Sequence, residues 1–292
     1  FKLKIFKITE LLTNIKLLHR ILHGNNTIVH THMWKANLIS RFFKVFFDFT
    51  LVNTIHAVSE GKILIPLLYR LSQGFPEIVT TVSELAKENI IAQGISKKEK
   101  IKTIPNVLLL NHMSKISENT HGLNKTPYRI LFVGRLEKEK NPSILINAMS
   151  ILSEHGLDFE LNIIGDGSLY QFLKRKVCDS NLGGRINFLG SASPANQYGK
   201  SNLLVIPSLS ESFGLVLIEA AFCKLDFVSS KAVPVREILG EKVKQFDPTN
   251  ASELANLIID KVNHPADTAK IENRKHYVSK KYNIDIISKE WD

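Results

Sequence analysis

The chain has 292 residues, of which 44% are hydrophobic and 23% charged, with 15 glycines and 10 prolines. These values belong to an ordinary globular protein of about two domains and exclude a disordered or fibrous chain. The formal charge of +10 is concentrated early, since residues 1–120 carry 16 Lys and Arg against 8 Asp and Glu. Such a balance suits nucleic acid, a phosphorylated ligand or an anionic lipid surface, and equally a solvated lysine-rich face. The two cysteines, Cys178 and Cys223, stand in no metal-binding spacing. Neither a disulfide framework nor a structural zinc site is therefore encoded, and a reducing compartment is the expectation. No apolar run approaches the roughly 18 residues of a membrane span, and no signal-peptide pattern opens the chain. The expected location is the cytoplasm, with the inner face of the plasma membrane as the alternative.

Phe1 to Gly24 reads as a basic, mostly helical lead-in. Short β-rich runs then alternate with helical patterns to the far end, which predicts parallel sheets built from βαβ units. The first series has strands at Thr27–His32, Leu51–Ala57, Glu77–Val82 and Lys100–Ile104. Ser83 reads as the N-cap of a helix that Gly94 ends. Residues 107–127 lose periodicity and gather Asn, Ser, Thr, His and Gly, so the linker is placed at 111–127. The second series runs from strand Arg129–Val133 through helix Pro142–His155, strand Phe159–Ile164, helix Leu169–Val177 and strand Ile186–Leu189. A short helix, strand Leu203–Ile206, helix Leu215–Cys223 and strand Phe227–Ser229 follow. The fold class expected is α/β, with two doubly wound Rossmann-like domains at 1–110 and 128–280. A last helix at 281–292 is expected to pack back toward the first domain. In such folds ligands bind beyond the carboxyl ends of the strands.

Two motifs carry chemistry, and two glycine runs are weighed beside them. Pro207-Ser208-Leu209-Ser210-Glu211-Ser212-Phe213-Gly214-Leu215 places a glutamate in a loop between a strand and a helix, and Glu219 follows inside that helix. A helix N-terminus offers N–H groups and partial positive charge to an anion or to sugar hydroxyls. Gly134-Arg135-Leu136-Glu137-Lys138-Glu139-Lys140-Asn141 brings Arg135 and Lys140 to the end of the first strand of the second domain, where two cations fit a diphosphate. Alone, they could be exposed partners of Glu137 and Glu139, worth only about 0.2–1 kcal/mol each. Gly165-Asp166-Gly167 follows a strand, yet Tyr170 stands where a dinucleotide fingerprint has its third glycine. Gly199-Lys200-Ser201 is no phosphate loop, because Pro194 occupies the required glycine position and a strand follows.

The ordered set IVHTH, TTVSELAKENI, KIKTIPNV, GRL…KN, GDG, PSLSESFGLVLIEA and VREILG, with its glutamates at an E-x7-E spacing, resembles retaining family 4 glycosyltransferases of the GT-B fold. The resemblance covers residues 27 to about 290 and implies the roles that follow. Arg135 and Lys140 would hold the donor's diphosphate, with Gly134 and the Gly165-Asp166-Gly167 turn beside it. Glu211 would bind donor-sugar hydroxyls, helped by Ser212 and the backbone N–H groups of Phe213, Gly214 and Leu215, and Glu219 would accept from the ribose. His32 matches the histidine beside donor sugar and acceptor. His30 lies on the same side of its strand but deeper, and is read as structural. No cofactor and no metal are implied, since Arg and Lys can take a divalent ion's electrostatic role.

Three departures stand out. The strand and glycine-rich loop with which such enzymes usually begin have no counterpart, so the first domain reads as incomplete. Val107 follows Pro105-Asn106 where glycine is common, and Lys231-Ala232-Val233-Pro234 replaces a glycine pair. The reading is thus a hexosyltransferase-like enzyme acting on a nucleotide diphosphate-sugar and a glycan or lipid-linked acceptor, in bacterial surface polysaccharide synthesis (lipopolysaccharide or capsule). The alternative is a non-catalytic or decayed nucleotide-sugar binder. A nucleic-acid partner is not expected, because only net charge favours one. The segment Arg41-Phe42-Phe43-Lys44-Val45-Phe46-Phe47 mixes aromatics with cations, either to dock on anionic lipid or to bury its Phe side chains in a domain core.

Overall fold

A computed structural model describes residues 27–56, 64–108 and 126–291. The proposed lead-in at Phe1–Gly24 and nearly all of the proposed linker lie outside the described residues. The chain divides into two compact units, 1–104 and 105–292. The expected boundary at residue 110 thus falls six residues later than the observed one. Pro105 to Leu108 belong with the second unit, where the Leu108 N–H donates to the Tyr282 carbonyl at 3.0 Å. The residues from 281 onward, expected to pack back on the first domain, also group with the second unit.

The first unit is a four-stranded parallel sheet in the order β1-β2-β3-β4, with β1 at Ile28–His32, β2 at Thr50–Ile55, β3 at Ile78–Thr81 and β4 at Ile101–Thr103. Helices α1 (Trp34–Phe43), α2 (Leu64–Leu71) and α3 (Glu84–Ala92) connect them. Ser83 caps α3 as its sequence predicts, its hydroxyl accepting from the Ala86 N–H at 3.1 Å. Gly94 ends that helix with a φ of +65°. Ile55, Tyr69, Val79, Ile90 and Ile95 form the apolar core.

Within the Arg41–Phe47 segment Arg41 is buried, its Nε donating to Asn53 Oδ1 at 2.7 Å and a terminal nitrogen to the Tyr69 carbonyl at 3.2 Å. Burial pulls its pKa down to about 10. The aromatic segment itself divides. Phe43 and Phe47 pack on Phe49 and Leu51, whereas Phe42 and Phe46 are each 61% exposed. Residues 39, 42 and 46 share one helical face by their spacing, and residues 43 and 47 share the neighbouring one.

The second unit holds a five-stranded parallel sheet in the order β7-β6-β5-β8-β9. The strands are β5 (Tyr128–Val133), β6 (Phe159–Ile164), β7 (Ile186–Phe188), β8 (Leu203–Ile206) and β9 (Asp226–Ser229). Helices α4 (Pro142–Glu154), α5 (Tyr170–Asp179), α6 (Ala195–Tyr198), α7 (Leu215–Phe222), α8 (Val235–Leu239), α9 (Ala251–Asn263), α10 (Thr268–Lys281) and α11 (Ile284–Ile287) complete it. All four residues of β8 are buried, as a strand covered on both faces requires. Ile130, Leu145, Met149, Leu161, Ile163 and Leu203 are fully buried in the core, each worth about 1.5–3 kcal/mol of transfer free energy. The chain winds outward from β5 through β6 to β7, then returns to the other side of β5 to lay down β8 and β9. The strand order therefore reverses between β5 and β8, and parallel α/β sheets hold ligands at the carboxyl ends flanking such a reversal.

Candidate active site

The two loops that leave β5 and β8 carry the two strongest sequence signals, and the structure joins them. The β5 loop makes a 3-10 turn at Lys138–Lys140. Asn141 then takes a left-handed conformation, φ 51°, with Pro142 in the first turn of α4. The loop after β8 is tied to that turn by the Leu209 N–H, which donates to the Glu139 carbonyl at 2.8 Å. Held in this way, Lys140 Nζ donates to Glu211 Oε2 at 2.7 Å, and the Ser208 hydroxyl donates to the same oxygen at 3.2 Å. The side chains are 23% and 13% exposed, so the pair is shielded more than a surface salt bridge. Arg135 is far more open and pairs with Glu139. Glu137 binds neither cation. It accepts from the Ser168 N–H at 2.8 Å and the Ser168 hydroxyl at 2.7 Å. Those two bonds hold its carboxyl below the usual carboxylate range.

Glycines set the spacing beneath these side chains. At Gly165, φ is +138° and a Cβ would lie 1.9 Å from the Gly134 carbonyl oxygen. At Gly167 a Cβ would meet the Leu136 carbonyl oxygen at 2.6 Å. The Gly165-Asp166-Gly167 turn is therefore packed backbone to backbone on the Gly134-Arg135-Leu136 loop, and the Leu136 N–H donates to the Asp166 carbonyl at 2.9 Å. Asp166 itself is exposed, and its carboxylate accepts from the Gly167 N–H at 2.7 Å. This close approach, not dinucleotide binding, accounts for the glycine pair.

Gly214 opens α7 at φ +82°, a conformation that favours glycine. Ser212 is half-buried, while the Phe213 ring packs edge-on against Tyr282 at 5.5 Å, leaving only the Phe213 backbone for a ligand. Leu215 begins the helix with its side chain exposed. Glu219 lies in the second turn and accepts from the Tyr198 hydroxyl at 2.6 Å. Burial raises the Glu219 pKa, against the opposing effect of that hydrogen bond. Cys223, one turn further on, is buried and its thiol is pushed up to about 12, first by burial and then by Glu219.

The first unit holds a separate constellation at the carboxyl end of β1 and β2. His32 Nδ1 lies 2.9 Å from His56 Nε2, and His30 Nε2 lies 2.7 Å from Thr54 Oγ1. Burial lowers the pKa of His56, and the neighbouring His32 lowers it further. The His30 pKa falls for the same reasons, with His32 and His56 both contributing. His30 thus has the anchoring bond its structural reading requires. His56 was missed from sequence. The signal that could have found it is the period of two, which carries the face of Thr54, the register partner of His32, on to His56 just past the end of β2.

A family model described as Glycosyl transferases group 1 matches residues 113–282, more than half of the chain. The chain belongs to this family. Among its relatives, the D-inositol 3-phosphate glycosyltransferase of Pseudarthrobacter chlorophenolicus is 24% identical over 232 residues, 72% of this chain and 55% of that protein. The GPI3 subunit of the Saccharomyces cerevisiae phosphatidylinositol N-acetylglucosaminyltransferase is 26% identical over 251 residues, 82% of this chain and 54% of that protein. The group 1 chain thus spans little more than half the length of these relatives. HepE of Anabaena, solved in complex with UDP, superposes with a TM-score of 0.79 at 21% identity over 97% of this chain and 80% of that one. Sucrose-phosphate synthase of Thermosynechococcus elongatus gives 0.80 at 21% identity, over 97% and 76%. At such identities the likeness establishes the fold, two parallel-sheet α/β domains of the GT-B type.

Proposed function

We propose that the protein transfers a sugar from a nucleotide diphosphate-sugar to a hydroxyl of a glycan or lipid-linked acceptor, with retention of configuration. The observation that carries this reading is the Lys140–Glu211 contact at the strand-order reversal, because it sets a cation and a sugar-binding carboxylate side by side. Membership of the glycosyl transferases group 1 family supports it, as does the likeness to HepE, which was solved with UDP.

In this mechanism Arg135 and Lys140 bind the diphosphate, and the N-terminus of α7 adds partial positive charge. With Ser208 and Lys140 both on Oε2, the other Glu211 oxygen is left to accept from donor-sugar hydroxyls. Glu219 accepts from the ribose. As the bond from the anomeric carbon to the phosphate oxygen breaks, the acceptor oxygen forms its bond on the same face and its proton passes to the departing phosphate. The two cations take the developing negative charge, so the reaction uses no cofactor and no resident metal. For His32, which pairs with His56 in the first unit, the role proposed from the family resemblance is that of the histidine acting at the sugar and the acceptor. The proposed setting is bacterial surface polysaccharide synthesis at the cytoplasmic face of a membrane. The exposed Ile39, Phe42, Val45 and Phe46 favour such a surface, and no described helix is long and apolar enough to span one.

The test is donor turnover by Arg135→Ala and Lys140→Ala. Loss of a charge-assisted hydrogen bond costs about 1.5–3 kcal/mol, so kcat/KM falls roughly 10- to 150-fold in each variant. Unchanged turnover in both removes the diphosphate assignment. Tight donor binding without turnover by the unmodified protein favours the non-catalytic alternative.

A further inference from the structure

We propose that Tyr198 is a positioning residue that sets how Glu219 reads the ribose of a nucleoside diphosphate, an inference that rests on the ribose-binding role proposed for Glu219. Tyr198 ends the four-residue helix α6 and is fully buried. Its hydroxyl donates to Glu219 Oε2 at 2.6 Å, and among the described residues no other hydrogen bond reaches that carboxylate. Burial, with the Glu219 charge beside it, raises the phenol's pKa well above its usual value, so the hydroxyl remains a donor across the physiological range.

A carboxylate accepts through two oxygens. With Oε2 held by a group that is itself immobilised in the core, Oε1 is the oxygen left to a ligand, and the plane of the carboxylate is set before the ligand arrives. Such pre-organisation removes part of the ordering cost of binding and aims the acceptor in one direction. The structural alternative is that Tyr198 merely fastens α6 to α7. A fastener would affect every ligand of the site alike. An aimed acceptor affects only ligands that present ribose hydroxyls.

The experiment is calorimetric titration of the full chain with UDP, GDP and ADP, followed by the 2′,3′-dideoxy counterpart of whichever binds most tightly. It is made on the unmodified protein, Tyr198→Phe and Glu219→Ala, with thermal unfolding of each. Phe keeps the ring in the core and deletes only the hydroxyl. The expected result is that Glu219→Ala abolishes the preference for the ribose form. Tyr198→Phe should shrink that preference about tenfold, through weaker binding of the ribose form and an unchanged Kd for the dideoxy form. If Tyr198→Phe keeps the full preference, or weakens both ligands equally, while Glu219→Ala loses it, the role of Tyr198 is overturned and that of Glu219 stands. Should Glu219→Ala keep the preference, or none of the three nucleotides bind the unmodified protein, the reading of Glu219 fails and takes this inference with it.

Discussion

Alanine at Gly165 is the sharpest test of how the site is built. Its Cβ would stand 1.9 Å from the Gly134 carbonyl oxygen and 2.9 Å from the carbonyl carbon, both backbone atoms that no rotamer change can move. The Gly134 N–H is pinned to the Ile164 carbonyl at 3.0 Å, and the Gly165 N–H to the Gly190 carbonyl at 2.8 Å. A side chain at such a φ costs about 1–3 kcal/mol. Separating the two loops sacrifices about two hydrogen bonds of roughly 1 kcal/mol each. The expected loss is thus about 3–5 kcal/mol, and for a unit of this size the melting temperature falls by roughly 6–20 °C. Two controls separate the contributions. Gly156 has φ +74° but open space around it, so Gly156→Ala carries only the conformational cost of about 1–2 kcal/mol. Gly184 has open space and no positive φ, and Gly184→Ala should melt close to the unmodified protein. Thermal unfolding of the full chain, followed by circular dichroism, checks the order. A Gly165→Ala protein melting within about 2 °C of Gly184→Ala would refute the close-approach argument.

Two further outcomes are expected. Asp226 sits at 2.8 Å from Arg274 and 2.6 Å from Lys261; burial raises its pKa, but the two cations outweigh burial and hold it below the usual value. Its folded pKa being depressed, its contribution is complete above the unfolded value of about 3.9 and is lost as pH falls through the folded one. Asp226→Asn should therefore cost about 3–5 kcal/mol at neutral pH, and the gap should narrow below about pH 4. Urea titrations across that range check this, and a gap independent of pH contradicts it. On the first unit, replacing Phe42 and Phe46 together by Asp should abolish sedimentation with phosphatidylglycerol-rich vesicles without lowering the melting temperature, because both rings are exposed. Equal sedimentation of the unmodified protein with and without vesicles would remove the membrane reading.

Local chemistry was legible in the sequence because it acts over a few residues. Period-two runs located the strands, the Ser83 cap and the Gly94 stop bounded α3, and Gly214 marked the start of α7. The ordered motifs placed Arg135, Lys140 and Glu211 in loops that leave strands, and Glu219 inside the helix that follows, as in the structure. Which side chains meet was decided elsewhere. Lys140 and Glu211 are 71 residues apart and touch only because β8 returns beside β5. Tyr198 and Glu219 are 21 residues apart and meet only in the folded chain, and a tyrosine in an unremarkable stretch announces none of this. Arg41 lies inward because buried Asn53 and Tyr69 offer it acceptors, and neither stands near it in sequence. His56 meets His32 because parallel register sets Thr54, two residues earlier, opposite His32, a relation between two strands that neither strand encodes alone. Propensity and periodicity are properties of short windows, so the elements, the fold class and the strand ends that bear the motifs could be read from the residues alone. Hydrogen-bond partners depend on strand order and on which face each helix covers, and these emerge only when the chain is folded.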